Sequence, residues 1–305
     1  MKRVEIKMHY FCNNNCIFCV QEDNKEKYQN KGLSVSEIRE KLKKGKENNA
    51  KEVIFTGGEV SLRFNDLLSS IKYAKRIGYK SIFLLTNGRA YSYQKNARII
   101  AESGVTRATI SIHGSSSKKH DSLTRTLNSF DQGVSGIKNL KKENIDIAIN
   151  CVIVKENISD LENIARLGVS LNVSQVQFAF IHISNSILSD KKRLKNLVPR
   201  KKDIISSLVK ALQIVEKAGI DAKTEGVPFC LMKKHEKYIG DSNKRLPETS
   251  VFEYQSDIIK FKDVLVSKGR VKRKQCISCK YFDACVGPWV EYPQLFGWSE
   301  FVPLK

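Results

Sequence analysis

The sequence predicts an α/β fold, a partial (β/α)6 TIM-like barrel with a small cysteine-rich C-terminal extension. Three observations predict it. From residue 2 to about residue 225, short apolar strands alternate with amphipathic helices, the rhythm of a parallel sheet wound by right-handed crossovers. The chemically unusual residues fall in the polar loops after the strands, at the end of the sheet where barrel enzymes build their sites. Six units rather than eight leave the barrel incompletely closed, with a lateral opening for a large substrate.

Each element has its own signal. Val4–Tyr10 alternates as a strand, and Ser34–Asn48 follows as a helix. There Ser34 and Glu37 make a capping-box pair, and Val35, Ile38 and Leu42 form an apolar stripe. Strands at 52–56, 80–86, 106–113, 145–154 and 175–183 alternate with helices at 66–77, 94–103, 130–143, 158–167 and 200–218. The stretch between 113 and 130 reads as a polar loop rich in Ser and Lys. Residues 232–275 are charged and weakly periodic, which predicts irregular chain with short helices. The expected organisation is therefore a core barrel over 1–225 and an extension over 226–305.

A chain of 305 residues can bury enough surface to need no disulfide staples. Six of its eight cysteines stand at metal-like spacings, which argues for a reducing, cytoplasmic setting. No apolar run approaches a membrane span, and the N-terminus lacks the apolar stretch of a signal peptide. It runs straight into the first strand, so no separate peptide-recognition domain is expected before the barrel. The net charge of +21 admits a nucleic-acid partner. Its excess is mainly lysine spread along helices, without a recognisable nucleic-acid module, so a solvated basic surface is favoured. Basic clusters at 191–202 and 268–274 are candidates to flank a substrate entrance.

Cys12, Cys16 and Cys19 follow the first strand with a three-residue and then a two-residue gap. Three thiolates in one loop can hold three irons of a [4Fe–4S] cube and leave the fourth iron open to a ligand. Zinc loops instead pair Cys-x2-Cys with a second pair downstream. With Phe18 before the last cysteine, the loop resembles the signature of the radical S-adenosylmethionine (radical SAM) superfamily.

The resemblance extends over residues 4–225. Gly57-Gly58-Glu59-Val60 looks like the family's Gly-Gly-Glu-Pro motif, with Val60 in place of proline. It implies that the glycines admit a close backbone approach and that Glu59 meets the methionyl ammonium of SAM. Asn87, in a Thr-Asn-Gly segment, and Ser111, ending the fourth strand, match further cofactor positions, and Phe18 joins them through the loop signature. Arg125 is a candidate clamp for the SAM carboxylate, and His113 a candidate catalytic or substrate-contacting group; His120 invites the same general-base reading. Cys151, within a β-branched run, reads as a small buried hydrophobe.

The tail spacing Cys276-x2-Cys279-x5-Cys285 resembles the centre of the SPASM/Twitch extensions, which carry auxiliary [4Fe–4S] clusters. Without a further cysteine downstream the tail supports one auxiliary cluster, with Cys230 the available fourth ligand. A site-open auxiliary cluster without Cys230, and a four-cysteine zinc site, are the alternatives.

The resemblance implies an enzyme that cleaves SAM reductively to a 5′-deoxyadenosyl radical. A low-potential donor of ferredoxin or flavodoxin type would supply the electron, and the substrate would be a peptide, protein or small metabolite. Nucleotide or RNA modification, including molybdenum-cofactor-type GTP cyclisation or tRNA modification, is the alternative. A non-catalytic iron–sulfur or zinc protein is the competing class.

Overall fold

Nine strands and eleven helices make up the regular structure of the described residues, which in this computed structural model are 2–29, 31–243, 245–254 and 269–305, with the backbone alone of 256–260. In chain order they are β1 (Lys2–Lys7), α1 (Glu22–Tyr28), α2 (Val35–Glu47), β2 (Glu52–Thr56), α3 (Phe64–Arg76), β3 (Ser81–Thr86), α4 (Gln94–Ser103) and β4 (Arg107–Ser111). Then come α5 (Ser117–Thr124), α6 (Ser129–Lys142), β5 (Asp146–Ile153), α7 (Leu161–Ser170), β6 (Gln175–Phe180), α8 (Asn185–Ser189), α9 (Lys191–Leu197) and α10 (Lys201–Lys217). The last are β7 (Asp221–Glu225), β8 (Glu248–Glu253), β9 (Ser256–Lys260) and α11 (Glu291–Phe296).

The chain divides into two compact units, Met1–Asn150 with Pro247–Phe261 and Cys151–Leu246 with Lys262–Lys305. In the first, the strand order is β9-β8-β1-β2-β3-β4-β5, parallel throughout except for the antiparallel β8–β9 pair. In the second, β6 pairs in parallel with β7. The fold is the α/β, partial TIM-like barrel expected.

Burial explains the strand composition. β2, Glu-Val-Ile-Phe-Thr, has its first four residues buried, the mark of a parallel strand covered on both faces. β3, β4 and β6 alternate buried and half-exposed residues, so one face packs on helices while the other stays partly open. The Ser34 capping box forms as expected: Ser34 Oγ accepts from Glu37 N at 3.2 Å, and the Glu37 carboxylate accepts from Ser34 N at 2.7 Å.

Several expectations need correction. The stretch after β4 is not all loop; α5 occupies it, with few apolar residues to announce it and only His120, Leu123 and Thr124 buried. Residues 232–275 are not simply irregular, because β8 adds in parallel to β1 with Lys2 opposite Glu248 and Ile6 opposite Phe252. The partner of β8 lies some 240 residues away in sequence, so local periodicity carries no trace of the pairing. β7 likewise extends the parallel ladder beyond the six units read from the sequence.

Lys201, read as part of a surface basic cluster, is fully buried. Its ammonium donates to Gly226 O at 2.8 Å, lies over the rings of Phe180 and Tyr292, and has its pKa driven down by burial and by Arg270. Lys268 of the second basic cluster lies outside the described residues.

The tightest joint in the first unit is between the Gly57-Gly58-Glu59 turn and the chain leaving β1. Gly58 N donates to His9 O at 2.7 Å and Glu59 N to Phe11 O at 2.9 Å. A Cβ on Gly58 would run into the Phe11 and Tyr10 carbonyls, which are backbone and cannot swing aside. Gly58→Ala is therefore expected to destabilise the protein by about 1–3 kcal/mol through overpacking. Urea unfolding of the variant beside the parent protein measures this, and an unchanged midpoint would show that the joint has slack.

Candidate functional site

The loop bearing Cys12, Cys16 and Cys19 is short of regular structure of its own and is fastened from several sides. Asn15 N donates to Thr124 O at 2.9 Å and Ile17 N to Leu123 O at 3.0 Å, so the last turn of α5 supports its centre. Lys25 of α1 reaches Asn14 O at 3.1 Å. From the end of β3, Asn87 Nδ2 donates to Asn13 Oδ1 at 2.7 Å and stands 3.9 Å from Cys12 Sγ. Arg89 donates to Asn13 O at 2.6 Å and Asn14 Oδ1 at 2.9 Å, while Gln132 of α6 holds its Nε at 2.6 Å.

None of the three cysteines is in a disulfide, and each is half-buried. Burial pushes Cys12 up and Cys16 up to about 12, the latter helped by the neighbouring Cys19 and Cys12. A metal centre reverses that preference, because it binds thiolates and displaces their protons.

Glu59 is 1% exposed and its carboxylate is heavily used. Oε1 accepts from Ser61 N at 3.0 Å, Ser61 Oγ at 2.6 Å and Thr86 Oγ1 at 2.6 Å; Oε2 accepts from Asn87 N at 2.7 Å. The close backbone approach that Gly57 and Gly58 permit is to His9, Tyr10 and Phe11. Ser111, the last residue of β4, stands half-buried opposite Asn150 of β5.

Phe18 is buried and meets the His113 ring edge-on at 4.7 Å between centroids. His113 is buried and stacks on His120 at 5.7 Å, and His120 Nδ1 accepts from the His113 backbone N–H at 3.0 Å. Burial holds His120 down at about 4 and His113 well below the usual imidazole range. Both rings are therefore neutral at neutral pH, and an accepting Nδ1 makes His120 the Nε2–H tautomer. Arg125 is exposed, in the left-handed conformation that ends α5, one residue beyond the Thr124 carbonyl that supports the cysteine loop.

The sequence reading missed Arg89, Ser61, Thr86 and Asp121. Asp121 ties the α5–α6 turn by accepting from Asn128 N, Ser129 Oγ and Phe130 N at 2.8–2.9 Å. The run of asparagines at 13–15 was the available signal for Arg89, since such a loop needs donors from outside.

In the second unit Cys230, Cys276, Cys279 and Cys285 line one cavity, part of it open to solvent. Cys230 sits on a single helical turn at Phe229–Leu231, Cys276 on another at Lys274–Ser278. Cys279 N donates to Cys276 O at 3.0 Å, and Gly287 N to Cys285 Sγ at 3.3 Å. Burial first, and then the neighbouring Cys285, Cys279 and Cys276, together push the Cys230 thiol up to about 12. Phe229 stacks on Tyr281 at 4.6 Å and so joins the two cysteine-bearing segments. Among the described residues, no three His, Cys, Asp or Glu side chains are grouped to hold a single metal ion. A cube asks for a different arrangement, since each thiolate binds its own iron. Cys151 is fully buried, as read.

The chain is similar to several known proteins. The chain is 31% identical over 182 residues to a probable GTP 3′,8-cyclase of Sulfurisphaera tokodaii, covering 59% of this chain and 56% of that protein. It is 32% identical over 163 residues to an AdoMet-dependent heme synthase of Oleidesulfovibrio alaskensis, covering 53% and 41%. The matches thus span about half the length of these curated relatives. By structure it resembles Streptococcus suis SuiB bound to S-adenosylmethionine, with TM-score 0.68 and 14% identity over 94% of this chain and 72% of that one. It also resembles native anSMEcpe with bound AdoMet and Cp18Cys peptide, with TM-score 0.66 and 16% identity over 98% and 95%. At such identities the likeness is one of fold. The Radical SAM superfamily profile matches residues 6–168, more than half of the chain, so this protein belongs to the radical SAM superfamily.

Proposed function

We propose that Cys12, Cys16 and Cys19 hold the [4Fe–4S] cluster that membership implies, that SAM binds beside it, and that the chain modifies a peptide, protein or small metabolite. The observation that carries this reading is the fastening of the cysteine loop. A loop held by Asn87, Arg89, Lys25 and two α5 carbonyls presents three thiols from one fixed backbone, and the donor set suits three irons. When bound, the cluster with SAM supplies the 5′-deoxyadenosyl radical that takes hydrogen from the substrate, using an electron from a low-potential donor.

The chain's own residues do the rest. Glu59 keeps the ends of β2 and β3 together and leaves Oε2, with one hydrogen bond, as the oxygen able to receive the SAM ammonium. Ser111 offers a hydroxyl at the same end of the sheet. Phe18 and neutral His113 wall the loop with apolar and uncharged surface, which keeps water away from the cysteines. Exposed Arg125 is free to turn toward a carboxylate.

Cys230, Cys276, Cys279 and Cys285 form the four-thiolate wall of a Twitch-like extension over 226–305, and we assign a closed auxiliary [4Fe–4S] cluster to it. The peptide class is supported by two fold neighbours that are bound to peptides, SuiB to its precursor peptide SuiA and anSMEcpe to the Cp18Cys peptide, over 94% and 98% of this chain. GTP cyclisation is the second reading, favoured by the 31% match to the probable GTP 3′,8-cyclase, which covers 59% of the chain.

Two experiments test these assignments. Anaerobically reconstituted, reduced protein with SAM is expected to release 5′-deoxyadenosine, measured by liquid chromatography, and Cys16→Ala to fall to the protein-free level. Equal release by the variant would remove the cysteine loop from the reaction. Iron and sulfide analysis is expected to find about eight of each per chain, falling to about four when Cys276→Ala and Cys279→Ala are combined. A single zinc per chain in place of the lost iron would overturn the auxiliary-cluster assignment.

A further inference from the structure

Lys272 stands in the wall of the four-cysteine cavity, and nothing in the proposed reaction uses it. Its ammonium donates to Phe282 O at 2.9 Å and lies 4.0 Å from the centre of the Phe282 ring. Its stem passes Gly287, whose N–H points at Cys285 Sγ from 3.3 Å. Two residues earlier, Arg270 is neutralised by Asp241 at 2.7 Å and covered by Trp289 at 3.6 Å. Among the described residues the partners of Lys272 are a neutral carbonyl and a ring, so no carboxylate offsets its charge beside the cavity wall. Pro228, Phe229, Phe301 and Pro303 supply neighbouring walls, and a charge among apolar groups is weakly screened.

We propose that Lys272 is a built-in counter-charge that raises the reduction potential of the cluster held by Cys230, Cys276, Cys279 and Cys285. The inference rests on the auxiliary-cluster assignment made above. Four thiolates make the site anionic, and taking up one electron adds a further negative charge. A fixed ammonium stabilises the reduced state more than the oxidised one, which moves the potential upward. Lys272 is in this sense a positioning charge, acting on the cluster's electronic balance without ligating it.

The test uses the full chain with Cys12→Ala, Cys16→Ala and Cys19→Ala, so that only the auxiliary cluster titrates. Its midpoint is read by electron paramagnetic resonance during anaerobic titration with dithionite, a one-electron reductant in this use. Adding Lys272→Met is expected to lower the reduction equilibrium constant about tenfold, a shift of about 59 mV for a one-electron couple. Lys272→Arg, which keeps the charge, is expected to hold the midpoint of the parent. Iron and sulfide counts are taken on every sample, so a variant that merely loses its cluster is recognised.

An unchanged midpoint in fully loaded Lys272→Met would overturn the role of Lys272 while leaving the cluster assignment standing. A Lys272→Arg midpoint as low as that of Lys272→Met would overturn it as well, by pointing to packing rather than charge. A parent without iron and sulfide would bring down the cluster assignment, and this inference with it.

Discussion

The buried Glu59 carboxylate is the bond on which the candidate site depends. It receives the Thr86 hydroxyl and the Asn87 amide from the end of β3, and Ser61 from its own turn. The side chain therefore locks two strand ends into one rim. Everything that fastens the cysteine loop from that side, Asn87 at Asn13 and Arg89 at Asn13 and Asn14, starts within three residues of that lock. Four charge-assisted hydrogen bonds in a site closed to water are worth far more than the same bonds at a surface. Removal of the carboxylate would leave Ser61, Thr86 and Asn87 donors buried with nothing to receive them.

A second consequence concerns how charge is handled near the loop. His113 and His120 are kept neutral by burial, and the pair is joined through a backbone N–H rather than through a shared proton. The cations that touch the loop, Lys25 and Arg89, bind carbonyl and amide oxygens.

Much of this was legible from residues alone, for reasons that can be named. β2 and α4 have the boundaries read from the sequence, because an apolar strand and an amphipathic helix each announce themselves within a few residues. The cysteine spacings were legible because ligand geometry constrains short loops. What stayed hidden was non-local. β8 exists because β1 offers it an edge, and α5 because its last carbonyls support the cysteine loop. Lys201 looked like one more surface lysine until Phe180, Tyr292 and Gly226 enclosed it from distant parts of the chain. Arg89 carried no motif at all; its role appears only once Asn13 and Gln132 are brought to it.

The two sets of cysteines differ in what they ask of the chain, and that difference bears on how each is loaded. Cys12, Cys16 and Cys19 lie within eight consecutive residues on a loop already held by its neighbours, so metal binding there closes only short loops. Cys230 is separated from Cys276 by 45 residues, and the four sulfurs come from two stretches of chain, one at Cys230 and one over 276–285. A cluster that joined them would tie a long loop shut, and the entropy lost in closing that loop would have to be met from the binding energy. The Phe229–Tyr281 stack and the Arg270–Asp241 pair lessen that cost by gathering the same segments without metal. Loading a tail cluster would thus be coupled to closing that long loop, whereas loading the first loop would be coupled chiefly to the protons its half-buried thiols must release.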